Sequence, residues 1–167
     1  MALALSLGMG LVNLGAVGFG NSYFAAAVWS MSRSLNAFLF AGLDPGGYVS
    51  VDKPPLGFWI QVLSVRLLGE GPYPLLLPTL LSATLSAYVL HRLLPPSFGP
   101  WVGATAALLM GTAPITIAVS RHNTHDTFVA LFLLLATLAL KRGTLTGRAW
   151  PLILSGALIG AAFNIKM

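Results

Sequence analysis

The sequence predicts an all-α integral membrane protein, with about five transmembrane helices and two amphipathic interfacial helices in its first long connection. Three observations carry this reading. Of the 167 residues, 9 are Lys or Arg and 4 are Asp or Glu, so charged residues make up 8% of the chain, against about 25% in a typical soluble domain. Hydrophobic residues make up 56% and the mean hydropathy is +0.83, which leaves too little polar surface to cover a soluble globule and excludes disorder. The apolar residues also gather in stretches close to the ~20 residues that a helix needs to cross a hydrocarbon core of about 30 Å. The net charge of +5 does not point to nucleic acid, because no Lys/Arg run could track a phosphate backbone. Those charges suit membrane orientation and anionic head groups instead. Cysteine is absent, which removes disulfides and thiolate metal sites.

Residues 2–19 are apolar apart from Asn13 and are read as a first helix. They lack the basic lead of a signal peptide, and Phe19-Gly20-Asn21 is a poor cleavage site. The missing basic flank and the abrupt end at Lys166-Met167 suggest the N-terminal part of a longer polytopic protein, with 1–167 as one portion of its membrane domain. Residues 20–74 are too long a connection to lack structure. Within them Phe24, Val28, Met31, Leu35 and Phe38 fall at helical spacing over 24–40, with Ser30, Arg33, Ser34 and Asn36 largely off that face. Over 56–68, Leu56, Trp59, Ile60, Leu63 and Leu67 share a face, with Gln61 and Arg66 off it. Both segments are too short and polar to span; they suit the interface plane, with Trp29, Trp59 and Tyr73 at head-group depth. Spans follow at 75–94, ending in His91-Arg92, at uncharged 101–119, at Leu-rich 127–140 behind Asp126, and at 150–165 before Lys166. No fixed-period repeat and no inverted halves are present, which argues against a transporter.

Basic residues orient the bundle. The links 94–100 and 141–148 carry Arg92, Lys141, Arg142 and Arg148, whereas the turn at 120–125 offers Arg121 alone. The positive-inside rule puts the first two in the cytoplasm and the 20–74 connection, the 120–126 turn and the C-terminal end outside. Three of the four acids, Asp44, Asp52 and Asp126, then share the outer side with Lys53, Arg121, His122 and His125. Glu70, in Gly69-Glu70-Gly71-Pro72, reads as a solvated loop carboxylate. Asp44-Pro45-Gly46-Gly47-Tyr48 is a turn in which Asp44 either caps backbone N–H groups or serves chemistry. In Val51-Asp52-Lys53-Pro54-Pro55-Leu56 the prolines stiffen the chain before a helix. Asp52 could cap that helix, while Lys53 suits a phosphate as a compact point charge. Arg121-His122-Asn123-Thr124-His125-Asp126 packs a cation, two imidazoles and a carboxylate before a helix, where capping is one explanation of Asp126. A divalent ion on Asp126 and His122 is a weaker alternative. Asn13 and Lys166 have no assigned role beyond the rule that polar groups in membranes face protein or water.

These motifs, in this order, resemble the N-terminal part of GT-C membrane glycosyltransferases of the family-39 type, which includes protein O-mannosyltransferases and lipid A aminoarabinose transferases. The carriers are Asn21-Ser22-Tyr23-Phe24-Ala25-Ala26-Ala27-Val28, Asp44-Pro45-Gly46-Gly47, Val51-Asp52-Lys53-Pro54-Pro55-Leu56, Asp126 at a helix start, and Gly160-Ala161-Ala162-Phe163-Asn164-Ile165-Lys166-Met167. A bacterial subgroup provisionally named mannosyltransferases is the nearest in pattern. The resemblance implies a partial GT-C fold in the plasma (inner) membrane, with two juxtamembrane helices in the first outer loop. It implies a polyprenyl-phosphate-linked sugar donor, a lipid, glycan or protein acceptor, inversion at the anomeric carbon, and a divalent metal ion in some members. Asp44, Asp52 and Asp126 are then the catalytic candidates. Lys53 is expected at the donor phosphate, with Arg121, His122 and Asn21 as further substrate-binding candidates, and Asp126 near the acceptor or a metal. One departure stands out: many members carry an acid directly after the first helix, where this chain has Asn21, and an amide is no general base. That substitution and the short length favour a competing reading, a non-catalytic membrane homologue that holds lipid or a partner. A reading frame continuing past Met167 into further membrane helices discriminates the two.

Overall fold

The computed structural model describes residues 2–94, 98–99 and 101–166, so most of the predicted link at 94–100 lies outside the described residues. The described chain is helical: α1 (Ala2–Leu11), α2 (Ser22–Arg33), α3 (Leu35–Phe40), α4 (Leu56–Leu68), α5 (Pro72–Leu93), α6 (Val102–Thr112), α7 (Pro114–Ser120), α8 (Asp126–Thr146) and α9 (Ala149–Lys166), with a 3-10 turn at Leu14–Val17. Three helices, α5, α8 and α9, are long and apolar enough to cross a membrane, and α6 with α7 makes a fourth if the pair, bent by 57°, counts as one span.

Two of the expected spans are interrupted, each at an identifiable residue. The 2–19 stretch stops as a helix at Leu11, because Asn13 takes the left-handed conformation (φ 52°) that Asn tolerates better than most side chains. Ten residues of α1 reach only about 15 Å. The 101–119 stretch breaks at Ala113, held extended (ψ 132°) by the proline that follows it, and Pro114 then starts α7. The 127–140 stretch runs instead from Asp126 to Thr146, absorbing Lys141 and Arg142 into the helix before Gly147 (φ 66°) ends it and reverses the chain into α9.

α2, α3 and α4 form a layer with its own core, in which Val28, Met31, Phe58, Val62 and Leu75 are fully or nearly fully buried. Ser34 breaks the predicted 24–40 helix in two, its side chain accepting the Ala37 N–H as the cap of α3. In α4 Gly57, Phe58, Gln61, Val62 and Val65 are buried against the protein, while Leu63 and Leu67 of the expected apolar face are 59% and 73% exposed. Gln61 therefore faces protein, and the leucine edge is left free for the interface. Trp59 Nε1 donates to the Phe38 carbonyl (2.6 Å), and Arg66 donates to the Ser32 and Met31 carbonyls at the end of α2 (3.2 and 3.3 Å). Glu70 is not a free loop carboxylate, since it pairs with Arg33 at 3.0 Å. Both side chains are more than half exposed, so the pair adds about 0–1 kcal/mol at most.

α5 is the central post. Pro78 inside it has no N–H for the Pro74 carbonyl one turn earlier, and the Ser64 hydroxyl of α4 donates to that carbonyl instead (2.6 Å). Replacing the hydroxyl leaves a partly buried acceptor unpaired. Ser64→Ala is thus expected to lower stability by about 1–2 kcal/mol, read as an earlier thermal unfolding midpoint in detergent. Small polar residues line its contacts with α8 and α7: the Ser82 and Thr127 hydroxyls pair at 2.7 Å, and Thr79 Oγ1 donates to the carbonyl of Ser120 at the end of α7 at 3.0 Å. At the far end Lys141 Nζ donates to the Leu93 carbonyl (2.6 Å), which gathers His91, Arg92, Lys141 and Arg142 at one end of the bundle. Asp126 and Lys166 occupy the opposite end.

Candidate active site

The turn between α7 and α8 is the centre of the site, and an amide pins it. Asn123 is fully buried; its Oδ1 accepts the Asn21 N–H at 2.6 Å and its Nδ2 donates to the Asn21 carbonyl at 3.0 Å. Its own carbonyl accepts from Gln61 Nε2 at 3.4 Å. Close approach is possible because residue 20 is glycine: its φ is +65°, and a Cβ there would stand 2.8 Å from Asn123 Oδ1. Asn21 turns its own side chain inward along the backbone and caps α2 through the Tyr23 and Phe24 N–H groups (3.0 and 3.3 Å).

His125 is 3% exposed in an aromatic slot, stacked on Phe24 (centroids 5.3 Å apart) and edge-on to Phe58 (4.4 Å). Gly57 makes room for it, since a Cβ on α4 would meet the ring at 2.8 Å. Burial pushes the His125 imidazole down to about 4; the Ile165 carbonyl and Asp126 act against that, and Lys166 and Lys53 add to it. The ring is neutral at neutral pH. Because the folded value lies below the ordinary imidazole value of 6.5, the unfolded chain binds the proton first as pH falls. Stability should therefore decline from pH 6.5 toward 4 and level off below it, by at most about 3 kcal/mol. His125→Phe, whose ring suits the slot, should remove that slope from thermal unfolding measured across the same range.

Asp126 begins α8, and its carboxylate pairs with Lys166 at the end of α9. It borders a recess of about 190 Å³ with Ser86, Met110, Thr116, Val119 and Thr127. Asp52 pairs with its neighbour Lys53 at 3.3 Å and is the more exposed of the two. Asp44 is used locally: Oδ2 accepts the Val49 N–H at 2.8 Å, and its carbonyl accepts the Gly47 N–H, closing the 44–49 turn. Backbone N–H groups, Val49 first, hold its carboxyl below the usual range. Arg121 and His122 lie elsewhere, in a recess on the other face of α7, where Arg121 Nη2 donates to the Asn13 carbonyl at 3.3 Å. Among the described residues no three His, Asp or Glu side chains come together as a metal-binding group, and Asp126 and His122 border different recesses.

The structure thus sets Asp126 beside the buried His125 and adds Lys166, Asn123, Gln61, Gly20 and Gly57, while Lys53 pairs with Asp52. Of these additions only Lys166 left a trace in the sequence, as a charge closing an apolar helix. The others signal nothing until their partners are known.

Residues 52–167 match the family described as dolichyl-phosphate-mannose-protein mannosyltransferase. The chain belongs to the dolichyl-phosphate-mannose-protein mannosyltransferase family. Within it, two proteins of Bacillus subtilis (strain 168), YycA and YkcB, each provisionally named a mannosyltransferase, are 40% and 35% identical to the chain over 147 residues, 88% of its length. The chain spans about a fifth of these relatives, 22% and 20% respectively. No solved structure matches it. The apolar helices and the mannosyltransferase family together make this a membrane protein. The family match covers Asp52, Lys53, Arg121, Asp126 and Lys166 and leaves Asn21 and Asp44 outside it.

Proposed function

We propose that the chain is the N-terminal part of a membrane glycosyltransferase that moves a sugar from a polyprenyl-phosphate carrier to a lipid, glycan or protein acceptor at the outer face of the plasma membrane. One observation carries the reading: Asp126, paired with Lys166, opens α8 next to the buried His125 at one end of a bundle of apolar helices. The chemistry needs little more. A phosphate is already able to depart, so the site must neutralise its charge and take one proton from the acceptor. Asp126 is the base: its carboxylate takes the hydroxyl proton while the acceptor oxygen bonds to the anomeric carbon. The bond from that carbon to the phosphate oxygen breaks on the opposite face, giving inversion. Lys53 meets the departing phosphate as a point charge held by Asp52. Lys166 orients Asp126, and Asp44 shapes the loop that leads to Lys53. A polyprenyl tail stays in the bilayer, which suits a site at the end of the helices and not at their middle.

The donor is tested with full-length protein in proteoliposomes. Radiolabel should leave polyprenyl-phosphate mannose and not a nucleotide sugar, and direct use of the nucleotide sugar would overturn the donor assignment. The membrane face is tested by cysteine labelling in a background freed of other cysteines. Tyr48→Cys, at a side chain 93% exposed in the first connection, should react with an impermeant maleimide added to intact cells. Arg142→Cys, at the other end, should react only after permeabilisation; the reverse pattern would invert the topology.

A further inference from the structure

α7 divides two recesses. Its residues Ile115, Thr116 and Val119 line the one that Asp126 borders, whereas Pro114, Ile117, Ala118 and Arg121 line the other. The second set falls at i, i+3, i+4 and i+7, a single helical face, so the partition follows from the period of the helix. This second recess, about 550 Å³ between α1 and α7, has apolar walls that include Met9 and Val17 and carries Arg121 and His122 at one end. Arg121 takes part in none of the ion pairs among the described residues. Its Nε is buried with no acceptor, and His122 Nδ1 is likewise buried without a partner. A buried guanidinium N–H left without an acceptor is costly, so the arrangement fits an anion brought from outside the described chain.

We propose that this recess binds the phosphate head group of an anionic bilayer phospholipid, a site separate from the one that carries the transfer reaction. Free phosphate would use only the charged end. A phospholipid uses both parts: its singly charged phosphodiester matches one guanidinium, and its upper acyl chain lies along Met9, Val17 and Ile117. Residues Pro114 and Ala118 at the recess are exposed, which leaves an entrance on the α7 side.

Native mass spectrometry of the full-length protein in detergent, titrated with phosphatidylglycerol, tests this. One lipid should be retained, with diacylglycerol, which lacks the phosphate, at least tenfold weaker. Arg121→Gln should weaken phosphatidylglycerol at least tenfold. Ala118→Phe, which fills the recess without touching a charge, should do the same and decides the matter if the arginine variant fails to fold. Lys53→Gln and Asp126→Asn should retain the lipid even as they lose transfer, so the two assignments fail separately. Equal binding of diacylglycerol, retention by Ala118→Phe, or loss of the lipid in Lys53→Gln would overturn the proposal, as would full displacement by millimolar inorganic phosphate.

Discussion

Asp126→Asn is expected to lower sugar transfer by the full-length protein by about 100- to 10,000-fold, the range that loss of a positioned general base produces. The amide keeps the size of the side chain and still accepts a hydrogen bond, but it cannot take the acceptor's proton. Stability should change little. The pair with Lys166 is nearly half exposed on both sides, so it is worth about 0–1 kcal/mol. The carboxylate's place in the first turn of α8 adds about 0.3–1 kcal/mol from the helix dipole. A large fall in turnover with a small shift in unfolding midpoint would thus separate chemistry from folding. Lys166→Gln, which loosens the carboxylate without removing it, should cost less. Full activity in both Asp126→Asn and Asp52→Asn would sink the assignment of the reactive cluster.

The largest structural effect is expected at a residue with no chemistry of its own. Asn123→Ala removes both hydrogen bonds to the main chain of Asn21 and leaves that N–H without a partner in a partly buried seam, while the carbonyl keeps the Ala25 N–H at 2.9 Å. The orphaned N–H costs about 1–3 kcal/mol, and removal of the side chain opens a void beside Gln61, so a loss of about 2–4 kcal/mol is expected. Gly20→Ala attacks the same joint from the other side, through its left-handed φ and the 2.8 Å approach of its Cβ to Asn123 Oδ1. Both variants break one contact, so the double variant should lose less than the sum of the singles. A thermal midpoint for Asn123→Ala close to that of the parent would show that the clamp does not hold the turn. Because the turn carries Asp126, the same variant should also raise KM or lower kcat although residue 123 touches no substrate.

The helices were legible where a local signal sufficed. The interfacial helix at Leu56–Leu68 has the expected bounds, since periodic apolar residues between a proline pair and a glycine define it at both ends. The span expected at 75–94 is observed at Pro72–Leu93, and that at 150–165 lies within Ala149–Lys166. Hydropathy failed where single residues set the backbone. Asn13 and Pro114 interrupt stretches whose composition reads as continuous, because hydropathy averages over about 19 residues and ignores φ and ψ. On α4 the expected leucine face is the exposed edge at Leu63 and Leu67, whereas the burial of Gln61 was not legible, because it depends on its partner at Asn123.

The sequence by itself determined that this chain lies in a membrane and that it is helical, since these follow from composition and segment length. Tertiary structure alone decided which of its residues meet. It spent the side chains of Asp44 and Asn21 on their own backbone, set Arg121 and His122 across α7 from Asp126, and paired Asp126 with Lys166 beside the buried His125. The physical reason is distance along the chain. Asn21 and Asn123 are 102 residues apart and Asp126 and Lys166 are 40 apart, and contacts of that separation are fixed by how helices pack, through glycines and buried amides whose use shows only once the partner is in place.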